Sequence, residues 1–125
     1  MRELVKDTHH DDRGSIYFCE LEGRRFNILF SKAGSYRSGD VHEVGQFDLV
    51  IDGVAEIKMK FPGSPQEGFV LKRLEGSERY TIPAGVPHLF FFPEDTVMLE
   101  HWNGEEFDAT FYKPFRDIVE RQGEG

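Results

Sequence analysis

Two short segments carry several side chains with ligating or acid–base chemistry that could converge in one pocket. One runs Gly39-Asp40-Val41-His42-Glu43-Val44-Gly45-Gln46, and the other, further along, Pro83-Ala84-Gly85-Val86-Pro87-His88. Asp40 and His42 are two apart, so on an extended strand they point the same way, and Gln46 and Asp48 keep that parity. His88 follows a rigid turn and can approach from a neighbouring strand. Two imidazoles, a carboxylate and an amide oxygen make a workable set for a divalent ion such as Fe, Mn, Zn or Ni. Without a metal, Asp40, His42, Gln46 and His88 would hydrogen-bond one another or an organic ligand. Asp40, His42 and His88 are also the candidates for proton transfer.

Other residues join this pocket by position. Phe90 and Phe92 share parity with His88, so they would form its apolar wall or belong to the core. Tyr36 and Arg37 lie just before the first segment, placed either to touch a ligand or to face solvent. His9 and His10 sit in a polar stretch and read as solvated. His101 and Glu100 have ambiguous parity, and His101 reads as surface or packing. No Ser-His-Asp arrangement, phosphate-binding glycine loop or CxxC pair is visible, so no organic cofactor is expected.

The elements that must hold these residues are strands. Ser15 to Glu22 and Phe26 to Ser31 read as a hairpin about Glu22-Gly23. Lys32 to Gly39 reads as a loop. Gln46 to Ile51 and Val54 to Phe61 read as a hairpin about Asp52-Gly53. Pro62 to Gly68 is a loop. Phe69 to Leu71 and Arg79 to Ile82 flank a turn at Glu75-Gly76. Leu89 to Phe92, Thr96 to Trp102 and Phe107 to Tyr112 complete the set, with a turn at Asn103-Gly104. Pro114 to Arg121 is the one helix, with Phe115, Ile118 and Val119 on one face. Eight to ten short strands between Gly/Pro turns predict an all-β antiparallel sandwich or barrel.

The chain has 125 residues, enough for one domain, 1–125, with a core that needs no staples. Its formal charge of −8 would repel a phosphate backbone, which argues against a nucleic-acid partner. With one cysteine, Cys19, no internal disulfide can form; a reducing compartment, the cytoplasm, is expected, with Cys19 a buried inert thiol. Met1 to His10 is charged and reads as no signal peptide. No stretch has the length of a membrane helix, so no membrane partner is expected.

The pattern Gly34-x5-Asp40-x-His42-x3-Gln46-x6-Gly53, followed by Gly76-x6-Pro83-x-Gly85-x2-His88-x3-Phe92, resembles the two signature motifs of the cupin superfamily. Those motifs read G-x5-H-x-H-x3/4-E-x6-G and G-x5/7-P-x-G-x2-H-x3-N. Here Asp40 stands for the first His, Gln46 for the Glu and Phe92 for the Asn. The resemblance implies a double-stranded β-helix of jelly-roll type. It also implies a small-molecule pocket in the barrel mouth, often metal-bound, and usually a homodimer.

A narrower resemblance joins Asp12-Arg13-Gly14 to Arg37-x-Gly39-x-x-His42-x3-Gln46. It looks like the cupin branch of 3,5-epimerases and 3,4-ketoisomerases that act on nucleotide-linked keto-sugars. Carried over, Arg37 would be the anion contact and His42 the candidate base. The first histidine of that branch falls on Asp40. Three functions follow as expectations: an isomerase or epimerase on a sugar-like or carbonyl metabolite, a non-catalytic carbohydrate- or metabolite-binding module, and a metal-dependent oxygenase.

Overall fold

A computed structural model describes residues 4–61, 69–102 and 109–122. Eleven strands and one helix are present among them: β1 (Val5–Asp11), β2 (Gly14–Leu21), β3 (Arg24–Ser31), β4 (Ser35–His42), β5 (Gln46–Asp52), β6 (Val54–Lys60), β7 (Phe69–Glu75), β8 (Arg79–Ile82), β9 (His88–Phe92), β10 (Thr96–Trp102), β11 (Ala109–Phe111) and α1 (Lys113–Arg121). Alternation of apolar and polar residues, a period of two, builds them. Two antiparallel sheets face each other, in the orders β1-β2-β3-β10-β5-β8 and β11-β4-β9-β6-β7.

The β2–β3 hairpin forms as expected, with Ile16 opposite Leu29. Two expectations are corrected, and one strand is added: Val5–Asp11, unassigned from the sequence, is an edge paired to β2. The loop expected over Lys32–Gly39 is strand from Ser35 on, part of β4, paired to β9. Asp52-Gly53 does not close a hairpin: β5 pairs with β10 and β8, whereas β6 pairs with β9 and β7. The chain leaves one sheet and enters the other there, and it crosses back between β7 and β8. A two-residue turn signal specifies a sharp reversal but not which strand receives it. At Gly53 the reversal takes φ to +100°, and a Cβ would lie 2.5 Å from the Asp95 carbonyl oxygen. Of the strand expected over Phe107–Tyr112, Ala109–Phe111 is present as β11, and 107–108 lie outside the described residues. The loop at 62–68 and the turn at Asn103-Gly104 lie outside the described residues.

Between the sheets the strands change character along their length. At one end Val50, Ile57, Met59, Ile82, Phe90, Phe92 and Met98 pack into a dry core. Toward the other end the inward positions become polar. On β5, Val50 gives way to Asp48 and Gln46; on β9, Phe92 and Phe90 give way to His88; on β10, Met98 gives way to Glu100. Helix α1 covers the outer face of β4 and β9, where Phe115 and Val119 bury against Leu89 and Tyr36. Pro114 starts the helix at no hydrogen-bond cost, and Lys113–Asp117 and Arg116–Glu120 pair along it.

Candidate functional site

The polar end of the barrel encloses a cavity of about 190 Å³. Strand β4 supplies Arg37, Ser38, Asp40 and His42, and β5 supplies Gln46. Phe90 on β9, and Glu100 and Trp102 on β10, line it too, with Ile16 and Leu29 as apolar wall. Arg13, from the β1–β2 turn, and Arg116, from α1, complete the lining.

The contribution of β4 depends on a bulge. Arg37 and His42 are five apart, so on a regular strand they would face opposite sides. The pairing with β9 shifts register between Ser38 and Asp40: Ser38 faces Leu89, but Asp40 faces His88. Ser38 and Gly39 take the slip with φ of +81° and +79°. One residue is absorbed, and Arg37, Asp40 and His42 all reach the cavity. The helix clamps the bulge: Tyr112 N–H donates to the Gly39 carbonyl at 2.9 Å, and Arg116 Nη1 to the Ser38 carbonyl at 3.0 Å.

The second segment docks on the first. Gly85 N–H donates to the His42 carbonyl at 2.8 Å. The Val86 carbonyl lies 3.0 Å from His88 Nδ1. A carbonyl only accepts, so Nδ1 carries the proton and Nε2 is left bare. His88 stacks on His42, with ring centroids 5.4 Å apart. Burial pulls the His88 pKa down to about 4, and nearby His42 adds to this, so His88 is neutral at physiological pH. Burial also lowers the His42 pKa, with Asp40 opposing it. Asp40 is raised by burial against the pull of His42 and Arg116.

Arg37 is only 3 % exposed. Its Nε donates to Ser31 Oγ at 2.8 Å and Nη2 to the Phe30 carbonyl at 3.4 Å, while among the described residues Nη1 has no partner. Burial, with Arg13 nearby, lowers its pKa to about 10, still far above neutrality, so a charged guanidinium stands in the wall. Asp40 Oδ1, His42 Nδ1 and His88 Nε2 are likewise buried without partners. Buried polar atoms are rarely left so, and four in one region mark a place prepared for something else. Arg13 is already paired with Asp11; despite burial, its hydrogen bonds hold that carboxyl well below the usual range.

A divalent metal needs its donors within roughly 2.0–2.6 Å of one point. Among the described residues, no three His, Cys, Asp or Glu side chains are so placed. Gln46 Oε1 is engaged, accepting from Trp102 Nε1 at 3.1 Å. Asp40, His42, Gln46 and His88 as arranged do not fit a metal ion.

Of the other residues singled out from sequence, Phe90 lines the cavity and Phe92 belongs to the dry core. Tyr36 faces the opposite way, its ring against Phe91 under the helix, outside the cavity. His101 packs outward on Phe47, and His9 and His10 lie exposed, bonded to Asp11 and Ser15. Cys19 is buried, its thiol pointing at the Tyr17 carbonyl, and burial raises its pKa. Glu100, Trp102 and Arg116 were not assigned a role. Glu100 and Trp102 were legible in one signal, the alternation Met98, Glu100, Trp102, which follows once Met98 is placed in the core. Arg116 reaches the cavity from a helix, and no local pattern marks it.

No family model and no curated protein sequence matches the chain. Solved structures do. The capsular polysaccharide assembling protein CapF from Staphylococcus aureus superposes with TM-score 0.72 at 21 % identity, over 84 % of this chain and 31 % of its own. An oxalate oxidase in complex with the substrate analogue glycolate gives 0.62 at 16 %, over 71 % and 46 %. Pumpkin seed globulin gives 0.73 at 10 %, over 86 % and 35 %. This chain thus spans about a third to a half of the length of these proteins. Two facing antiparallel sheets, a polar mouth above an apolar core, and these superpositions together give the chain the cupin fold, a jelly-roll β-barrel.

Proposed function

We propose that the cavity binds a small, sugar-like or carbonyl metabolite bearing an anionic group and interconverts it by proton transfer, as an isomerase or epimerase. One observation carries this reading: a neutral imidazole and a buried cation with a free donor line the same small cavity. Arg37 Nη1 suits a carboxylate or phosphate oxygen, where a charge-assisted bond also relieves an unpaired donor. His42, held neutral and with Nδ1 unpartnered, is in the state a base requires. Asp40 beside it stabilises the imidazolium that forms. His88 backs the His42 ring and positions it. Gln46 spends its amide on neighbours, and Phe90 supplies apolar wall. The structural neighbours lend support: one assembles a capsular polysaccharide and another was solved with glycolate, a small hydroxy acid.

The same unpartnered donors suit a non-catalytic carbohydrate- or metabolite-binding module. A metal-dependent oxygenase has the least support, because the donors do not converge. Incubation with dihydroxyacetone phosphate or D-xylulose in D2O, read by NMR, separates the three. Carbon-bound deuterium is expected to appear faster than in buffer, unaffected by EDTA, with Mn2+ or Zn2+ moving the melting temperature by less than about 1 °C. A thermal shift without exchange assigns a binding module. Exchange that EDTA abolishes and metal restores returns the metal. The absence of both exchange and shift overturns the reading.

The assembly is proposed as a homodimer in the cytoplasm, with neither nucleic acid nor membrane as partner. Among the described residues no helix is long and apolar enough to cross a membrane. On the outer face of the six-stranded sheet, Phe30 and Ile51 are 45 % and 47 % exposed, and Ile28, Leu49 and Leu99 lie in register there. A chain of charge −8 repels its own copies, least so at such an apolar face. Light scattering should give twice 14.4 kDa, and Phe30→Glu should halve it; a wild-type monomer would refute the dimer.

A further inference from the structure

Beneath the cavity lies a second group of titratable side chains. Asp48 on β5 and Glu100 on β10 are direct cross-strand partners, and their carboxyls share one hydrogen-bond donor. Two carboxyls this close in a buried site do not both ionise readily, and the one that keeps its proton can donate it to the other. Gln46 Nε2 bridges them, 3.1 Å from Asp48 Oδ2 and 3.2 Å from Glu100 Oε2. Trp102 fixes that amide by donating to its oxygen, and Asn27 Nδ2 donates to Glu100 Oε1 at 3.3 Å. Among the described residues no cation forms an ion pair with either acid. Asp48 is wholly buried, whereas Glu100 lines the cavity.

We propose that Asp48 and Glu100 form a proton-sharing carboxyl pair and that Glu100 is a catalytic residue, exchanging a proton with the ligand's carbonyl oxygen. This rests on the isomerase reading above and adds the acid to the base, His42. The physical chemistry agrees. Burial raises both carboxyls; Glu100 raises Asp48 further, whereas the contact with Asp48 lowers Glu100. Asp48, with no exposure and no cation paired to it, keeps its proton and donates it to Glu100. Glu100, raised by burial and by Asp40 but eased by Asn27 and Arg37, is left as the open carboxyl that can gain or lose a proton. The other charged groups on the same cavity are His42, Arg13 and Arg116.

The proton balance closes. His42 takes the proton from the carbon beside the carbonyl, and the C–H electron pair becomes a C=C bond. The carbonyl π pair takes the proton of Glu100, giving an enediol and a Glu100 carboxylate held by Asp48 and Asn27. On collapse, Glu100 takes back an enediol O–H proton and His42 returns its proton to carbon. Nothing is consumed.

Three measurements test this. Infrared difference spectra at pH 7 should show a protonated carboxyl that Asp48→Asn removes. Glu100→Gln keeps the hydrogen-bond acceptor but not the acid. It should lower kcat for deuterium exchange into dihydroxyacetone phosphate by about 100-fold or more, with KM changed less than about threefold. It should also erase one limb of the kcat/KM–pH profile. A pair fully ionised at pH 7, or Glu100→Gln exchanging within about threefold of wild type, overturns the proposal and leaves the isomerase reading standing. Wild-type protein that exchanges no probe overturns the isomerase reading and the role of Glu100 with it, while the infrared band still decides whether the carboxyl pair exists.

Discussion

Gly39→Ala is expected to destabilise the barrel by roughly 2–6 kcal/mol, from backbone strain and forced repacking together. The backbone there has φ of +79°, which an L side chain rarely adopts, and an added Cβ would sit 2.8 Å from the Arg116 backbone nitrogen and Cα. Neither obstacle can rotate away. To make room, α1 must lift, which exposes Phe115 and Val119, or the bulge must move, which turns Arg37 or Asp40 out of the cavity. For a domain whose whole stability is on the order of 5–15 kcal/mol, a melting point lower by about 10 °C or more is expected. Gly34→Ala is the control: its φ of +83° is similar, but nothing lies within 4 Å of the new methyl. It pays the strain alone. A Gly39→Ala protein melting within about 2 °C of Gly34→Ala would show that helix and bulge are not locked together.

His42→Gln should slow deuterium exchange by about 100- to 10,000-fold, the usual worth of a positioned base, and leave the melting point within a few degrees. The ring is 6 % exposed, and among the described residues its Nδ1 has no hydrogen-bond partner on which the fold could depend. What it gives the fold is contact with His88 and with the Trp102 ring at 5.5 Å, which the glutamine chain partly replaces. Kinetics set beside a melting curve decide the matter. Loss of fold comparable to Gly39→Ala would make His42 a packing residue, and unchanged exchange would remove it as the base.

Much of this site could be read from one strand at a time. The relation of Asp40 to His42, of Gln46 to Asp48, and of His88 to Phe90 is a matter of parity, and parity is set by the pleat of a single chain. The Pro83 to His88 turn was legible for a similar reason, since proline and glycine restrict the backbone locally. Even the departures from the cupin motifs, Asp40 and Gln46, pointed toward an unusual pocket. The errors arose where a residue's place depends on a distant partner. Lys32–Gly39 looked like a loop because its two glycines and its serines weaken a strand taken alone; from Ser35 on, hydrogen bonds to β9 and cover from α1 make it strand.

By itself, then, the sequence determined an all-β chain, the two polar segments, and the inward set on each regular strand. Tertiary structure decided the rest. The bulge at Ser38-Gly39 brought Arg37 onto the side of His42, and sheet switching at Asp52-Gly53 chose the partners of β5. Pairing of β5 with β10 set Asp48 against Glu100, residues far apart in the sequence. The reason is that backbone hydrogen bonds between strands are chosen by which segments meet, and no local period records that choice.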